Sequence, residues 1–370
     1  MNIFYYFREL NTPMYKWQRI HIFDELERFG HRIITFNPLD YASINEANEV
    51  VVKNIKLVSG VDFFLTCVDS RYIYPSTIVS IKKMGIPTVL ICWDNLELPF
   101  KHKNIAPLFD LVWLTSIETK YLFEKWGCKN IIFQTYAANP FVFVPNWESN
   151  IFKLGFIGSP YGSRINVLNE LLTNGIECSV YSNSLFDKGY NNSLGAIQQY
   201  KVWNILTKTV DYLKFPIGRK VLYSTIKNKL SSKTSLLNDS SYLYKYKSVS
   251  DKEMTWLYSN LALSLNITAL RDTYILKNPI SKMHLRTFEI PMSGGLEFVS
   301  YSDEIVEYFE EDKEIVLYRS KEEMIDKARF YLNEKNAHTV MKIKRLARKR
   351  AENEHTWERR FSVIFNKIKT

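Results

Sequence analysis

The sequence predicts an α/β protein built from two doubly wound units in tandem. Three observations carry this. Short, almost wholly apolar β-rich runs alternate with segments of helical apolar spacing. The alternation breaks once, at Asn139-Pro140-Phe141-Val142-Phe143-Val144-Pro145-Asn146, and then restarts. And a chain of 370 residues, 46% hydrophobic and 24% charged, is long for one core and comfortable for two.

In the first half the strand candidates are Ile3–Phe7, Arg32–Phe36, Asp62–Cys67, Thr88–Cys92, Leu111–Thr115 and Asn130–Thr135. Strands that are apolar throughout belong in a parallel sheet covered on both faces, whereas a one-faced sheet would alternate. Trp17–Phe29, Glu46–Val58, Ser76–Met84 and Ile117–Trp126 supply the intervening helices, with Gly30 and Gly85 ending the first and third before the next strand. After the break come strands Lys153–Ile157, Glu177–Tyr181, Leu261–Asn266, Glu297–Ser300 and Glu314–Tyr318. Helices Ile165–Leu172, Asp303–Phe309, Lys321–Asn333 and a long C-terminal stretch fill the gaps. The predicted domains are 1–147, with 353–370 packing back on it, and 148–352, interrupted by a helical basic insertion at about 185–247.

Composition narrows the function classes. No window approaches the roughly 20 apolar residues that cross a bilayer, and the N-terminus reads as a first strand instead of a signal peptide. Cys67, Cys92, Cys128 and Cys178 are widely spaced and mostly lie in or beside apolar runs, as free thiols in a reducing compartment do. A cytoplasmic protein is expected, with a peripheral position at the inner face of a membrane as a further expectation. The net charge of +10 is patchy. Lys201–Lys233 holds eight Lys/Arg and one Asp, and a second cluster runs Lys342, Lys344, Arg345, Arg348, Lys349, Arg350. Such patches point to an anionic partner. Lysines interleaved with Trp203, Tyr212, Phe215 and Tyr223 suit an interfacial helix on an anionic membrane, or a solvated excursion packing its aromatics inward. No nucleic-acid recognition fold surrounds them.

Loops after strands are where open parallel sheets bind ligands. The first in the second half is Phe156-Ile157-Gly158-Ser159-Pro160-Tyr161-Gly162-Ser163-Arg164. Its glycines would admit an anion to backbone N–H groups, and Arg164 could grip a phosphate. An ordinary tight turn fits the same residues, and neither the dinucleotide fingerprint nor the P-loop spacing is present. Lys282-Met283-His284-Leu285-Arg286-Thr287-Phe288-Glu289-Ile290-Pro291-Met292-Ser293-Gly294-Gly295 places Arg286 and Glu289 three apart, on one helix face, ahead of a glycine pair. A surface Arg–Glu pair would look the same. No histidine stands at a metal-ligand spacing from a neighbour: His31 reads as a strand-edge residue, His355 as part of the C-terminal helices, and His284 lies near the Arg286 segment.

The stretch Arg286–Gly295 resembles the donor-site helix of the CgeB-like glycosyltransferases of the group 1 type. The similarity extends to Asn139–Pro145, Phe156–Ser159 with Arg164, Leu263–Ile267, Ile305–Phe309, Lys313–Val316, Met324–Leu332 and Glu354-His355-Thr356-Trp357-Glu358-Arg359-Arg360. The resemblance implies a GT-B fold: two facing Rossmann-like domains, a cleft between them, and C-terminal helices crossing back to the first. It implies transfer from a nucleotide-sugar donor to a glycan or lipid-linked acceptor, with a retaining outcome. Glu289 would hold the ribose. Arg286 and the Gly158–Ser159 turn would neutralise the leaving diphosphate, with Arg164, Lys282, Gly294 and Gly295 in the same donor site. The sequence has no Asp-x-Asp pair, so no metal and no cofactor are expected. In the first half Cys92-Trp93-Asp94-Asn95-Leu96-Glu97 resembles the family's acidic loop, which makes Asp94 the candidate catalytic or sugar-orienting group, ahead of Asp69 and His102. Capping of the next turn is the plainer role for Asp94. The first loop, Arg8–Lys16, lacks the glycines many relatives carry there. The context expected is synthesis of a bacterial surface polysaccharide. Rival readings are a nucleotide-sugar epimerase or phosphorylase on the same fold, a non-catalytic glycan- or membrane-binding protein, and a nucleic-acid binder.

Overall fold

The structure, a computed structural model, describes residues 1–10, 13–186, 207–231 and 236–369. The chain divides into two compact units, 1–141 with 355–370, and 142–354. Each is built on one six-stranded parallel sheet.

The first unit contains β1 (Asn2–Tyr6), β2 (Arg32–Phe36), β3 (Phe63–Thr66), β4 (Thr88–Cys92), β5 (Leu111–Leu114) and β6 (Ile131–Phe133), in the order β2-β1-β3-β4-β5-β6. All residues of β3, β4 and β5 are buried, which explains their unbroken apolar sequences. Aromatic rings fill one face of the sheet: Phe4 stacks on Phe64 at 6.1 Å and Tyr6 on Phe36 at 5.2 Å. The helix Ile44–Leu57 starts at Ser43, whose hydroxyl accepts the Glu46 N–H at 3.1 Å. The C-terminal helix Trp357–Lys369 belongs to this unit. Phe361 meets Trp113 edge-on at 5.5 Å, and Phe365 lies 6.1 Å from Phe63. Buried Glu25 accepts the Trp357 and Glu358 N–H groups at 3.2 and 2.7 Å, so a carboxylate from the other end of the chain caps this helix.

In the second unit β7 (Ile151–Ile157), β8 (Cys178–Tyr181), β9 (Leu243–Tyr246), β10 (Leu261–Leu265), β11 (Glu297–Ser300) and β12 (Val316–Tyr318) lie in the order β12-β11-β10-β7-β8-β9. Leu154 and Phe156 of β7, Leu263 of β10 and Phe298 of β11 join Leu168 and Leu171 of the helix Ser163–Thr173 in one core. Asn146, the last residue of the break in the sequence rhythm, and Trp147 after it are fastened within this unit. Asn146 exchanges bonds with Ser259 and Asn260, and the Trp147 indole N–H donates to the Gly294 carbonyl at 2.8 Å.

Three features differ from the sequence expectation. Strand β9 lies inside the stretch read as an insertion, pairing with β8 at the sheet edge. The helix Asp251–Asn260 was not anticipated, although a capping box between Ser250 and Glu253 starts it. The helix expected over Asp303–Phe309 is only a single turn, Ile305–Glu307, because one turn suffices to bury both Ile305 and Phe309. Of the basic stretch, residues 187–206 and 232–235 lie outside the described residues, Lys201, Trp203 and Lys233 among them.

The second basic cluster is in part structural, with Lys342, Arg345 and Lys349 its exposed members. Lys344 is fully buried and donates to the Ser259 carbonyl at 2.8 Å. Arg348 donates to the carbonyls of Phe143 and Met292. Arg345 lies over the Trp147 ring, and Arg350 pairs with Glu354 at 2.7 Å. Among the described residues, no helix is long and apolar enough to cross a membrane, and the four cysteines are unbonded.

Candidate functional site

In the second sheet the chain leaves β7 towards β8 and β9, and leaves β10 towards β11 and β12 on the opposite side. Adjacent strands whose connections diverge open a crevice at their carboxyl ends. The loop after β7 begins Gly158-Ser159, and the one after β10 begins Asn266-Ile267-Thr268. The chain beyond β10 returns to the crevice as the short helix Arg286–Met292. Ile290 of that helix packs with Ile157 of β7 and with Leu257, Tyr258 and Leu261. The helix ends in a Schellman arrangement: Gly294 has φ 71° and the Gly295 N–H reaches the Ile290 carbonyl at 2.9 Å.

Arg286, at the start of this helix, lies directly against Gly158. A Cβ at Gly158 would fall 2.5 Å from Arg286 Nη2, and its φ of 145° is itself one that few side chains tolerate. Arg164 comes from the same loop as Gly158. Its Nη1 donates to the Ser159 carbonyl at 3.0 Å, and its guanidinium lies 4.5 Å from the centre of the Tyr161 ring. Arg164 and Arg286 each lie 5.9 Å from the Phe156 ring centre. Burial first, and then the charge of Arg286, push the Arg164 guanidinium below its ordinary pKa. Two partly desolvated cations are therefore held together at the strand ends, an arrangement that an anion relieves.

Behind them sits a buried polar bridge that the sequence reading missed. Asn266 Nδ2 donates to Glu297 Oε1 at 2.7 Å and to Thr287 Oγ1 at 3.1 Å, linking β10, the helix and β11. Burial raises the Glu297 carboxyl to about 8, so it is mostly protonated at neutral pH. Glu289, one helical turn after Arg286, is nearly buried. Its carboxylate, the Arg286 guanidinium and Glu297 all act electrostatically on the buried Tyr258 phenol, whose pKa burial drives up. The one sequence signal for Glu297 was a carboxylate within the apolar run Leu296–Val299.

The remaining donor-site candidates are placed differently. Lys282 lies on the returning arm of the loop after β10, where its N–H donates to the Thr268 carbonyl at 2.9 Å. The glycine pair is accounted for by packing: a Cβ on Gly294 would strike the Trp147 ring at 2.7 Å, and one on Gly295 the Tyr258 carbonyl at 2.8 Å.

In the first unit the connections diverge between β1 and β3. Asp94, after β4, is exposed, and its carbonyl accepts the Glu97 and Leu98 N–H groups at 3.2 and 2.9 Å, closing a turn. Asp69, after β3, is buried and gripped by Arg71 through bonds of 2.9 and 2.7 Å. Burial raises its pKa, but the bonds to Arg71 outweigh this and hold it below the usual carboxylate range. His102 is buried 3.4 Å from the Cys67 carbonyl, and burial lowers it to about 4, leaving it neutral. His31 touches the N-terminal amine at 3.1 Å and His355 touches Arg360 at 3.1 Å, both structural contacts. Among the described residues no group of three His, Cys, Asp or Glu is arranged to hold a metal.

Residues 235–366 match the family model described as glycosyl transferase-like. No curated protein sequence matches the chain. Among solved structures, an α-glucosyltransferase in complex with UDP-glucose and DNA is 12% identical, with a TM-score of 0.60 over 100% of this chain and 99% of its own. A glycosyltransferase from Rickettsia africae is 13% identical, with a TM-score of 0.59 over 99% and 98%. HepE from Anabaena, in complex with UDP-glucose, is 11% identical, with a TM-score of 0.56 over 99% and 98%. The two parallel sheets and these matches give the chain the GT-B glycosyltransferase fold, with its residues 235–366 matching the glycosyl transferase-like family.

Proposed function

We propose that the protein transfers a sugar from a nucleotide-sugar donor to a glycan or lipid-linked acceptor, with the donor's diphosphate held at the carboxyl ends of β7 and β10. The observation that carries this reading is the pairing of Arg164 and Arg286 beside Gly158. Breaking a sugar–diphosphate bond leaves charge on the phosphates, and fixed cations with backbone N–H groups stabilise that charge as it forms. In this reading the two guanidiniums fill the role a metal fills elsewhere, so turnover is metal-independent. Glu289 accepts hydrogen bonds from the ribose diol, Lys282 borders the same site, and Asp94 orients the sugar or acceptor. A retaining outcome, a CgeB-like subtype, a cytoplasmic location and a place in surface-polysaccharide synthesis complete the proposal. UDP-glucose in two of the similar structures supports UDP-sugars as the first donors to try.

The test is a thermal-shift screen against UDP, GDP, CMP, dTDP and their sugar conjugates, with and without EDTA. A ligand at 100 times its Kd stabilises the native state by about 2.7 kcal/mol. The expected result is a shift with one nucleotide, unchanged by EDTA and lost in Arg286→Ala. A folded protein that responds to none sinks the reading. Turnover of the sugar nucleotide without acceptor, or only with phosphate, replaces it with an epimerase or a phosphorylase.

A further inference from the structure

The described part of the basic stretch consists of helical residues 207–213 and the helix Pro216–Ser231. One side of this segment is docked on its own unit. Thr225 Oγ1 and Asn228 Nδ2 both donate to Asp272 at 3.0 Å, and the Tyr274 hydroxyl donates to Asn228 Oδ1 at 3.1 Å. Val221 and Ser224 are buried on that side, and Tyr212, Phe215 and Gly218 close the junction between the two helical stretches. The aromatics at 212 and 215 therefore pack inward, as a solvated excursion would have them.

The opposite side does not suit water. Tyr223, Ile226 and Leu230 are 58%, 58% and 85% exposed. At about 100° per residue these three fall within an arc of roughly 60° on the helix, directly opposite the docked side. Lys220 and Lys227 flank this stripe on one side and Lys229 on the other, all exposed. Val210 and Leu213 extend the exposed apolar surface on the preceding helical stretch. Residues 207–231 hold six Lys/Arg and a single acid, Asp211, which pairs with Lys214 at 2.7 Å.

We infer that this outer face of the helix Pro216–Ser231 docks on an anionic lipid surface, with Tyr223, Ile226 and Leu230 entering the headgroup boundary while Lys220, Lys227 and Lys229 meet lipid phosphates. The narrow apolar stripe, flanked by Lys220 and Lys227 on one side and Lys229 on the other, is what selects lipid over a protein groove. Long lysine stems lie along the apolar boundary and carry their charge out to the headgroups. Positive charge on both flanks then selects an anionic leaflet. The docked side fixes the helix to the unit, so the surface is presented already folded. This inference does not depend on the transferase reading.

The full chain is sedimented with vesicles of phosphatidylglycerol and phosphatidylethanolamine, and in parallel with phosphatidylcholine vesicles. The expected result is binding to the anionic vesicles, weakened by salt, with little binding to the neutral ones. Ile226→Ser/Leu230→Ser and Lys227→Glu/Lys229→Glu should each weaken binding by about tenfold or more. Melting temperatures check that both variants fold, and their nucleotide-induced shift reports on the donor site separately. Equal binding to both vesicle types, no binding, or variants that bind like wild type would overturn the inference. So would a dimer in light scattering that Ile226→Ser/Leu230→Ser abolishes, because the face would then belong to a second copy of the chain.

Discussion

Nη2 of Arg286 occupies the place that a Cβ on Gly158 would need, 2.5 Å away. Gly158 opens the loop after β7 and Arg286 the helix Arg286–Met292, and their fit makes the glycine a requirement of the arginine's position. Gly158→Ala is expected to displace the guanidinium as well as strain a backbone at φ 145°, at a cost of about 1–3 kcal/mol. Under the proposed function, nucleoside diphosphate affinity should fall at least about tenfold while circular dichroism stays native. Arg286→Lys should recover only part of the affinity that Arg286→Ala loses, because an ammonium lacks the planar fork. Calorimetric titration with the nucleotide identified by thermal shift measures both. Wild-type affinity in Gly158→Ala would remove this loop from the site.

Under the proposed function Glu289 meets the ribose, a role with a signature that a general loss of stability lacks. Glu289→Gln should weaken a ribonucleotide by about 1.5–3 kcal/mol, the worth of a hydrogen bond to a charged group. The same substitution should barely affect the 2′,3′-dideoxy analogue, which has no diol to donate. Equal losses for both nucleotides would assign Glu289 to holding the helix together.

Much of this architecture was legible in the chain. The strands buried on both faces, β3, β4 and β5 above all, stand out because every residue in them is apolar or small. Strand β9 did not stand out. It is a sheet edge whose Lys245 and Tyr246 are exposed, so it blends into the basic residues around it. Arg286 and Glu289 could be picked out by spacing and resemblance, but the meeting of Arg286 with Gly158 spans 128 positions (286 − 158) and no local pattern encodes it. The glycine pair has a packing role that the sequence alone does not show. Close approach is what glycine permits, and at Gly294 the neighbour is the Trp147 ring. Lys344 was read as part of a basic patch and Glu297 only as the start of a strand, because burial of an ionisable group leaves no mark in composition.

Those two groups give the second unit an unusual pH dependence. Glu297 has its pKa raised from 4.5 to about 8, so the folded chain keeps a proton that the unfolded chain sheds. Its contribution is fully present below the unfolded value and is lost as pH rises through about 8. Lys344 is lowered from 10.5 to about 7, so its contribution is present above 10.5 and lost as pH falls through about 7. Glu297→Gln should therefore gain on wild type as pH rises from 5 to 8, by up to about 1.4 kcal/mol per pH unit, and then level off. Lys344→Met should lose ground to wild type as pH rises from 7 to 10. Urea unfolding at a series of pH values reads both differences. A flat difference for Glu297→Gln would mean that the carboxyl is not shifted.

Glu25 makes a comparable prediction for the first unit. Its carboxylate accepts two N–H groups at the start of the helix Trp357–Lys369, 332 and 333 positions away in sequence. Those bonds favour the charged form, yet burial is the larger influence and raises the group to about 7. Glu25→Ala leaves two buried donors without an acceptor, which should cost about 2–4 kcal/mol. The loss should fall first on the C-terminal helix, whose Phe361 and Phe365 pack under the sheet. Glu25→Gln keeps an acceptor oxygen and no charge, so it should retain more stability than Glu25→Ala at every pH, and it should gain on wild type as pH rises from 4.5 to about 7. Limited proteolysis followed by mass spectrometry should then find cleavage near His355 in Glu25→Ala well before wild type. If the two proteins are cut at the same rate there, the cap does not hold the helix, and its aromatic packing is enough to do so.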